Sequence, residues 1–153
     1  MVVSAGTGAL VGQPMVAEGR QALAALDIPA EDFRARQLRP VDVASADLII
    51  TATRDHRSAV ARMEPRAMSR TFALADLSDL LTGLGADDQE QADSVAGVAR
   101  VAAIRRSEVA ARSRSDADII DPYRRGAAVY RQMIEQIDPL LPPIVQAVRG
   151  QHP

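Results

Sequence analysis

The chain has 153 residues, of which 47% are hydrophobic and 25% charged, a composition that disfavours disordered, collagen-like and membrane-spanning proteins. A formal net charge of -2 and an aromatic content of 3% disfavour nucleic-acid binding, which relies on positive charge and on side chains that stack on bases. The lack of cysteine excludes disulfides, thiolate metal sites and a cysteine nucleophile within these residues. No export signal, meaning a charged segment followed by a long apolar run, is visible at the N-terminus, so a cytoplasmic protein with no membrane partner is expected.

The first half of the chain alternates between predicted strands and predicted helices. Such alternation is typical of an α/β protein whose parallel strands are joined by right-handed crossovers. The run DLIITAT is continuously apolar, which predicts a strand buried on both faces. Strands are predicted at 2–7 (VVSAGT), 47–53 (DLIITAT) and 70–74 (RTFAL), and helices at 15–26, 54–64 and 75–81.

The second half is predicted to be mainly helical. The acidic stretch 83–94 predicts a mobile surface loop, and the alanine-rich stretch 95–113 predicts a helix. The last helix is expected to begin near Gly126 and to be interrupted by three prolines between 139 and 143 before IVQAVR continues it. Residues 1–150 are expected to form a single domain with one core.

The stretch SDADIIDPYRRGAAVY contains a carboxylate between an apolar pair and a proline. Pro122 fixes its own backbone and disfavours the helical region for Asp121, so this carboxylate is held on a stiffened loop. Such an aspartate is either a turn former near the start of a helix or a catalytic acid. Loop chemistry alone leaves both alternatives open.

Other polar groups give weaker signals. His56 lies in a charged helical segment and His152 in the tail, without the spacing of paired metal ligands, so no metal site is expected. Arg34, Arg36 and Arg39 in FRARQLRP are suited to binding a phosphate or a carboxylate, but also to a solvated surface. The turn GTGALVG fits neither GxGxxG nor a P-loop, which disfavours a nucleotide site.

Five segments taken in order, SAGTGALVGQP, ARQLRP, ADLIITATRDHRSAV, RTFAL and IIDPY, resemble the low-molecular-weight protein tyrosine phosphatase family over nearly the whole chain. The resemblance implies a three-layer α/β sandwich around a four-stranded parallel sheet in the order 2-1-3-4. It also implies a C-x5-R loop after the first strand, whose N–H groups and arginine bind phosphate while the cysteine thiolate attacks phosphorus. The aspartate of the DPY motif then acts as general acid and base.

The resemblance assigns roles to four residues of this chain. It makes Asp121 the general acid and Tyr123 an aromatic residue lining the substrate cleft, and Ser4 supports the catalytic loop. Leu10 occupies a substrate-binding position where many members have an aromatic residue, and Arg124 stands where a second tyrosine is common. The implied activity is hydrolysis of a phosphorylated protein or a small phosphomonoester, without a metal or organic cofactor.

The chain begins at what resembles the second strand of the family, so the first strand, the catalytic loop and the first helix are expected to be missing. Without a cysteine, the chain is expected to be inactive by the family mechanism. The missing strand would leave a gap of about 9 to 10 Å in the sheet. Three interpretations follow. The chain is a fragment of a phosphatase, or its start is wrongly placed. Alternatively, it is a pseudophosphatase that fills the gap with VVSAGT or with a strand borrowed in a homodimer, or it is an interaction domain that uses the arginines of FRARQLRP.

Overall fold

A computed structural model describes residues 1–150 of the chain, which cluster into two compact units. The first, here called the loop unit, comprises Met1–Arg39 and Ile120–Glu135. The second, called the sheet unit, comprises Pro40–Ile119 and the residues from Gln136 onward. The prediction of a single domain over 1–150 stays a prediction.

Short helices dominate the described residues, and both strands lie in the sheet unit. In chain order the elements are α1 (Ala17–Ala24), α2 (Pro40–Ser45), β1 (Ile49–Thr51), α3 (Arg54–Met63), a 3-10 helix (Pro65–Arg70), β2 (Thr71–Ala73), α4 (Leu74–Leu81), α5 (Ala86–Gln91), α6 (Val95–Arg105), α7 (Arg114–Ala117), α8 (Ala127–Ile137), a second 3-10 helix (Asp138–Leu140) and α9 (Leu141–Arg149).

The two strands β1 and β2 form a parallel pair, with Ile50 opposite Phe72. Helix α3 and the first 3-10 helix connect them, which is the crossover that parallel neighbours need. The predicted α/β class with a parallel sheet is therefore confirmed. Helix α4 follows β2 directly and packs against α9. The most deeply buried large side chains around this pair are Phe72, Leu77, Val43, Val60, Val98 and Val101.

Local sequence signals explain where two helices of the sheet unit begin. The Thr53 hydroxyl accepts a hydrogen bond from the His56 N–H (3.1 Å) at the start of α3, and the Ser94 hydroxyl accepts one from the Gly97 N–H (3.0 Å) at the start of α6. A Cβ at position 97 would lie 2.6 Å from the carbonyl oxygen of Gln91, so glycine is required there. These caps fix the directions in which α3 and α6 leave their loops.

The interrupted C-terminal helix is confirmed. Helix α8 ends at Ile137, a 3-10 turn follows at Asp138–Leu140, and α9 continues from Leu141. The tandem prolines 142 and 143 lie in the first turn of α9, where a missing N–H breaks no helical hydrogen bond. Pro139 therefore lies in the turn that separates the two helices, and the tandem prolines begin the second one.

Three details of the sequence prediction are wrong, and the helix predicted at 95–113 is shorter than expected, since α6 ends at Arg105. Residues 2–7 form no strand, because only Gly6 makes a ladder contact, a single parallel bridge to Gln37. The central residue of β1 is not buried, since Ile50 is 44% exposed. The stretch 83–94 contains helix α5, whose first turn carries two aspartates that interact favourably with the helix dipole. The mobility of 83–94 stays a prediction.

The loop unit is stabilised by backbone pairing and by one buried tyrosine. The Gly6 N–H donates to the Arg36 carbonyl (3.0 Å), and the Leu38 N–H donates to the Gly6 carbonyl (2.8 Å). Tyr130 is buried next to Gly19, where an added Cβ would lie 3.3 Å from the tyrosine ring. A larger residue at position 19 would thus crowd both this ring and the Met15 side chain, which lies 3.0 Å from the added Cβ. In neither unit does any described helix have the length and apolar character needed to cross a bilayer.

Candidate functional site

The Asp-Pro-Tyr loop of the loop unit forms a tight turn that starts from Asp121. Its Oδ1 accepts a hydrogen bond from the Tyr123 N–H (3.0 Å), the local bond by which aspartates form turns. The Arg125 N–H then donates to the Pro122 carbonyl (3.0 Å). Asp121 is exposed, and its Oδ2 makes no hydrogen bond within residues 1–150. The two alternatives for Asp121 are therefore compatible, because one oxygen forms the turn and the other faces solvent.

The aromatic residue of this loop is also accessible. Tyr123 is 42% exposed, and the Arg124 guanidinium lies over its ring at 5.1 Å from the centroid. This separation is within the range of a cation–π contact. The loop thus presents a carboxylate, a phenol ring and a cation at the exposed positions 121, 123 and 124.

The other two predicted site residues lie in the N-terminal part of the loop unit. Ser4 and Leu10 are both exposed. The carbonyl of Ser4 accepts a hydrogen bond from Arg36 Nε (2.6 Å), and that of Leu10 accepts one from the Gln13 N–H (3.0 Å). Within residues 1–150 no hydrogen bond joins either of them to Asp121. Their roles as a supporting serine and a substrate contact stay predictions.

Gln37 links the glycine-rich turn to the segment FRARQLRP. Its Oε1 accepts the Ala9 N–H (3.0 Å), and its Nε2 donates to the Thr7 carbonyl (2.9 Å). Arg34 in the same segment donates to the carbonyls of Glu31 and Phe33. The sequence analysis did not single out Gln37, because one glutamine has no distinctive spacing. It is nevertheless the side chain that fixes the backbone next to Leu10.

Charges near the loop affect one buried phenol. Burial raises the pKa of Tyr130 above its ordinary value, and the negative charges of Glu18 and Asp121 and the nearby Tyr123 raise it further. Asp121 is therefore close enough to act electrostatically on Tyr130. This coupling provides an independent probe of the environment of the Asp121 carboxylate.

The residues directly before the loop belong to the sheet unit and are fixed there by two hydrogen bonds. Asp118 Oδ1 accepts from the Arg54 N–H (2.7 Å), and the Ile119 N–H donates to the Ala52 carbonyl (3.0 Å). Both partners lie where β1 ends and α3 begins. A carboxylate at a helix N-terminus is favoured by the helix dipole as well as by the hydrogen bond. No local sequence pattern distinguishes Asp118, although it lies only three residues before Asp121.

An ion-pair network surrounds this attachment point. The Arg54 side chain donates to both carboxylate oxygens of Asp76 and to the Arg112 carbonyl. Arg112 in turn donates to both oxygens of Asp79, at 2.6 and 2.7 Å. The hydrogen bond with Asp76 raises the pKa of Arg54, and that with Asp79 raises the pKa of Arg112. Both guanidinium groups thus remain charged and oriented.

Side chains that could ligate a metal are not clustered in the part of the chain that the structure describes. Residues 1–150 contain no group of three or more potential ligand side chains arranged to hold a metal ion. His56 is exposed on α3, and His152 lies outside the described residues.

Comparisons with known proteins identify what this arrangement resembles. The sequence profile of a family described as low molecular weight phosphotyrosine protein phosphatase matches residues 1–85. A low molecular weight protein tyrosine phosphatase from T. tengcongensis is similar in structure, with 21% identity, a TM-score of 0.66, and coverage of 95% of this chain and 76% of that chain. No significant match was found among curated proteins.

Two further solved structures share the fold. The Erwinia amylovora tyrosine phosphatase AmsI is 16% identical, with a TM-score of 0.64 and coverage of 94% of this chain and 72% of that chain. Vibrio vulnificus Wzb in complex with benzylphosphonate is 17% identical, with a TM-score of 0.58 and coverage of 90% of this chain and 68% of that chain. At these identities the likeness shows the fold alone.

Proposed function

Because the chain belongs to the low molecular weight phosphotyrosine protein phosphatase family, we propose that its Asp-Pro-Tyr loop supplies the general acid of phosphomonoester hydrolysis. Family members act on phosphorylated substrates, and a phosphotyrosyl protein or a small phosphomonoester is the proposed substrate class. The observation that supports this role most directly is the free Oδ2 of Asp121 on a turn that its Oδ1 stiffens. Tyr123, half exposed beside it, would flank the substrate ring.

The proposed acid gives up one proton and later takes one back, so it is regenerated at the end of the reaction. Protonated Asp121 donates its proton to the leaving oxygen as the P–O bond breaks, and the resulting carboxylate then takes a proton from the attacking water. Each task needs one carboxyl oxygen that is not committed to the fold. Oδ2 meets this requirement, whereas Oδ1 is engaged by the Tyr123 N–H.

The nucleophile of the family reaction is not present in these residues, since the chain contains no cysteine. The 153-residue chain is therefore proposed to carry the acid but not to form a phosphocysteine intermediate. The purified chain should not hydrolyse p-nitrophenyl phosphate. Turnover by the chain alone, at a rate that Asp121→Ala does not change, would contradict this proposal.

A chimera tests the role of Asp121 directly. The N-terminal strand, C-x5-R loop and first helix of the T. tengcongensis phosphatase would be joined in front of Met1, with the loop cysteine changed to serine in a matched control. The chimera should hydrolyse phosphotyrosine, and Asp121→Asn should reduce the rate by about 100-fold or more. The reduction should be smaller with p-nitrophenyl phosphate, because its leaving group needs less protonation. Equal rates with and without Asp121→Asn on both substrates would refute the assignment.

A second candidate function is a pseudophosphatase that binds a phosphorylated ligand without hydrolysing it, and the lack of cysteine favours it. It predicts binding of a phosphotyrosyl peptide by the unmodified chain with no release of phosphate. Detectable phosphate release by that chain would exclude it. The cytoplasmic location, the homodimer with a borrowed strand and the interaction domain that uses FRARQLRP stay predictions.

A further inference from the structure

The turn that follows Asp121 holds an arginine in a backbone conformation usually occupied by glycine. Pro122 to Arg125 form a four-residue turn closed by a 3.0 Å hydrogen bond, and Arg124 at its third position has φ +61°. Turns with a positive φ at this position favour glycine or asparagine, because a side chain crowds the backbone there. An arginine in this conformation, beside a candidate acid, suggests that its side chain has a function.

The Arg124 side chain is directed over Tyr123 and is not used in an ion pair. Its guanidinium lies 5.1 Å from the ring centroid, and no carboxylate within residues 1–150 pairs with it. The neighbouring Arg125 is likewise exposed, and its side chain makes no ion pair with a described residue. Two cations that pair with no described carboxylate therefore lie three and four residues after Asp121 in the chain.

We propose that Arg124 and Arg125 select phosphotyrosyl peptides in which acidic side chains flank the phosphotyrosine. This inference rests on the second candidate function, in which the unmodified chain binds a phosphotyrosyl peptide, with the phenol of the ligand at Asp121. Neighbouring residues of an extended peptide lie roughly 3.3 Å apart along the strand, so the flanking side chains would reach the next positions of the turn. A guanidinium stacked on an aromatic ring keeps its N–H edge free, and that edge matches a carboxylate with two parallel hydrogen bonds.

General electrostatic attraction does not account for such a preference. The chain carries a formal net charge of -2, which repels an acidic peptide at long range. Any preference for acidic flanks must therefore come from local cations. Most other arginine side chains with described contacts already donate to carboxylates or carbonyls, as Arg54 and Arg112 do. The cations at 124 and 125 make no ion pair with a described residue, so a ligand carboxylate can bind them without breaking one.

The test measures peptide binding by the full chain with fluorescence anisotropy. Three labelled peptides are compared: phosphotyrosine flanked by glutamates, phosphotyrosine flanked by glutamines, and the glutamate peptide without phosphate. The wild-type chain should bind the first about tenfold more tightly than the second at low salt, since each exposed ion pair contributes about threefold. This preference should disappear in roughly 0.5 to 1 M salt, because the Debye length then falls to a few ångströms and the attraction between exposed charges is screened.

Variants test whether Arg124 and Arg125 cause the preference for glutamate-flanked phosphopeptides. The double variant Arg124→Gly, Arg125→Gln should bind both phosphorylated peptides equally, and glycine at 124 suits the positive φ so that the turn is retained. The matched control Arg62→Gln removes one exposed and unpaired arginine from α3 and should keep the preference. Arg124→Asn serves as a second variant compatible with the turn.

Three results would overturn the inference. They are equal binding of the two phosphorylated peptides by the wild type, a preference that survives in the double variant, and binding of the unphosphorylated peptide as tight as that of its phosphorylated form. A chain that binds none of the phosphopeptides would overturn it as well. The general-acid role of Asp121 is judged separately, by the effect of Asp121→Asn on the turnover of the chimera.

Discussion

The arginines of the sheet unit and those of the Asp-Pro-Tyr loop are held in opposite ways. Arg54 donates to both oxygens of Asp76, and the two side chains are 28% and 23% exposed. Arg124 and Arg125 are exposed and pair with no carboxylate within residues 1–150. The first arrangement satisfies a partly buried charge, while the second leaves two charges in water beside a candidate acid.

This difference shows how the same residue type serves structure in one region and recognition in another. A bidentate pair fixes both partners, and its guanidinium has few donors left for a ligand. An unpaired arginine retains all its donors, and its conformation is set by the other groups that it contacts. For Arg124 that contact is the Tyr123 ring, which orients the cation without neutralising it.

The largest expected effect comes from breaking the structural pair. Arg54→Ala should lower the free energy of unfolding by about 2 kcal/mol, because the partly buried Asp76 carboxylate and the Arg112 carbonyl lose their donors. Urea denaturation followed by circular dichroism measures this change. The matched control is Arg100→Ala, since Arg100 lies 3.8 Å from Asp93 and these side chains are 66% and 69% exposed.

The control should cost no more than about 0.5 kcal/mol, as is usual for exposed ion pairs. Equal losses in the two variants would mean that the network around Arg54 does not stabilise the sheet unit more than an ordinary surface contact does. The contrast between paired and unpaired arginines would then have no energetic basis.

A smaller effect, of opposite sign, is expected on the loop. Arg124→Gly should raise the free energy of unfolding by about 0.5 kcal/mol, because relief of the positive φ gains about 1 kcal/mol and loss of the contact with Tyr123 costs about half of that. Arg124→Ala should instead be destabilising, since alanine keeps the strain and loses the contact. The stability order glycine, arginine, alanine is the expected outcome of the same urea experiment. If alanine were as stable as glycine, backbone strain at 124 would not be significant.

The sequence predicted the sheet pair better than the strand at the N-terminus, for a physical reason. LIIT and RTFA are dense in β-branched and apolar residues and pair with each other, so the local signal and the tertiary contacts agree. VVSAGT has a similar local signal, but a strand also needs neighbours, and only Gly6 has a bridge partner. Helix α5 was missed because its six residues include no apolar stripe.

The candidate site was predictable only where its chemistry is contiguous in the chain. Asp121 and Tyr123 stand next to one proline, so the turn was visible in the sequence, whereas the role of Asp121 as an acid came from the family resemblance and stays a prediction. The pairs of the sheet unit were not visible, because Arg54 and Asp76 are 22 residues apart and Arg112 and Asp79 are 33 apart. Folding brings such residues together, and the local spacing of residues in the sequence does not predict these contacts.

The smallest expected effect is a change in the titration of Tyr130, which probes the Asp121 carboxylate without requiring activity. Burial and the nearby negative charges raise the pKa of this phenol, so the Tyr130 hydroxyl holds its proton more strongly in the folded chain than in the unfolded chain. The stability from this source is fully present below the ordinary tyrosine pKa of about 10 and is lost as the pH rises through the raised pKa. Tyr130→Phe should remove that loss.

The chain has two tyrosines and no tryptophan, so the difference in phenolate absorbance between the chain and Tyr130→Phe reports Tyr130 alone. Asp121→Asn should lower the pKa of Tyr130, because it removes a negative charge while asparagine can still accept the Tyr123 N–H. Asp32→Asn removes the same charge from an exposed position of the loop unit and should leave the titration unchanged. If both substitutions shift it equally, the effect reflects net charge and not the proximity of Asp121. A shift specific to Asp121 would place its carboxylate beside the buried ring, where binding of an anionic ligand should also alter the titration.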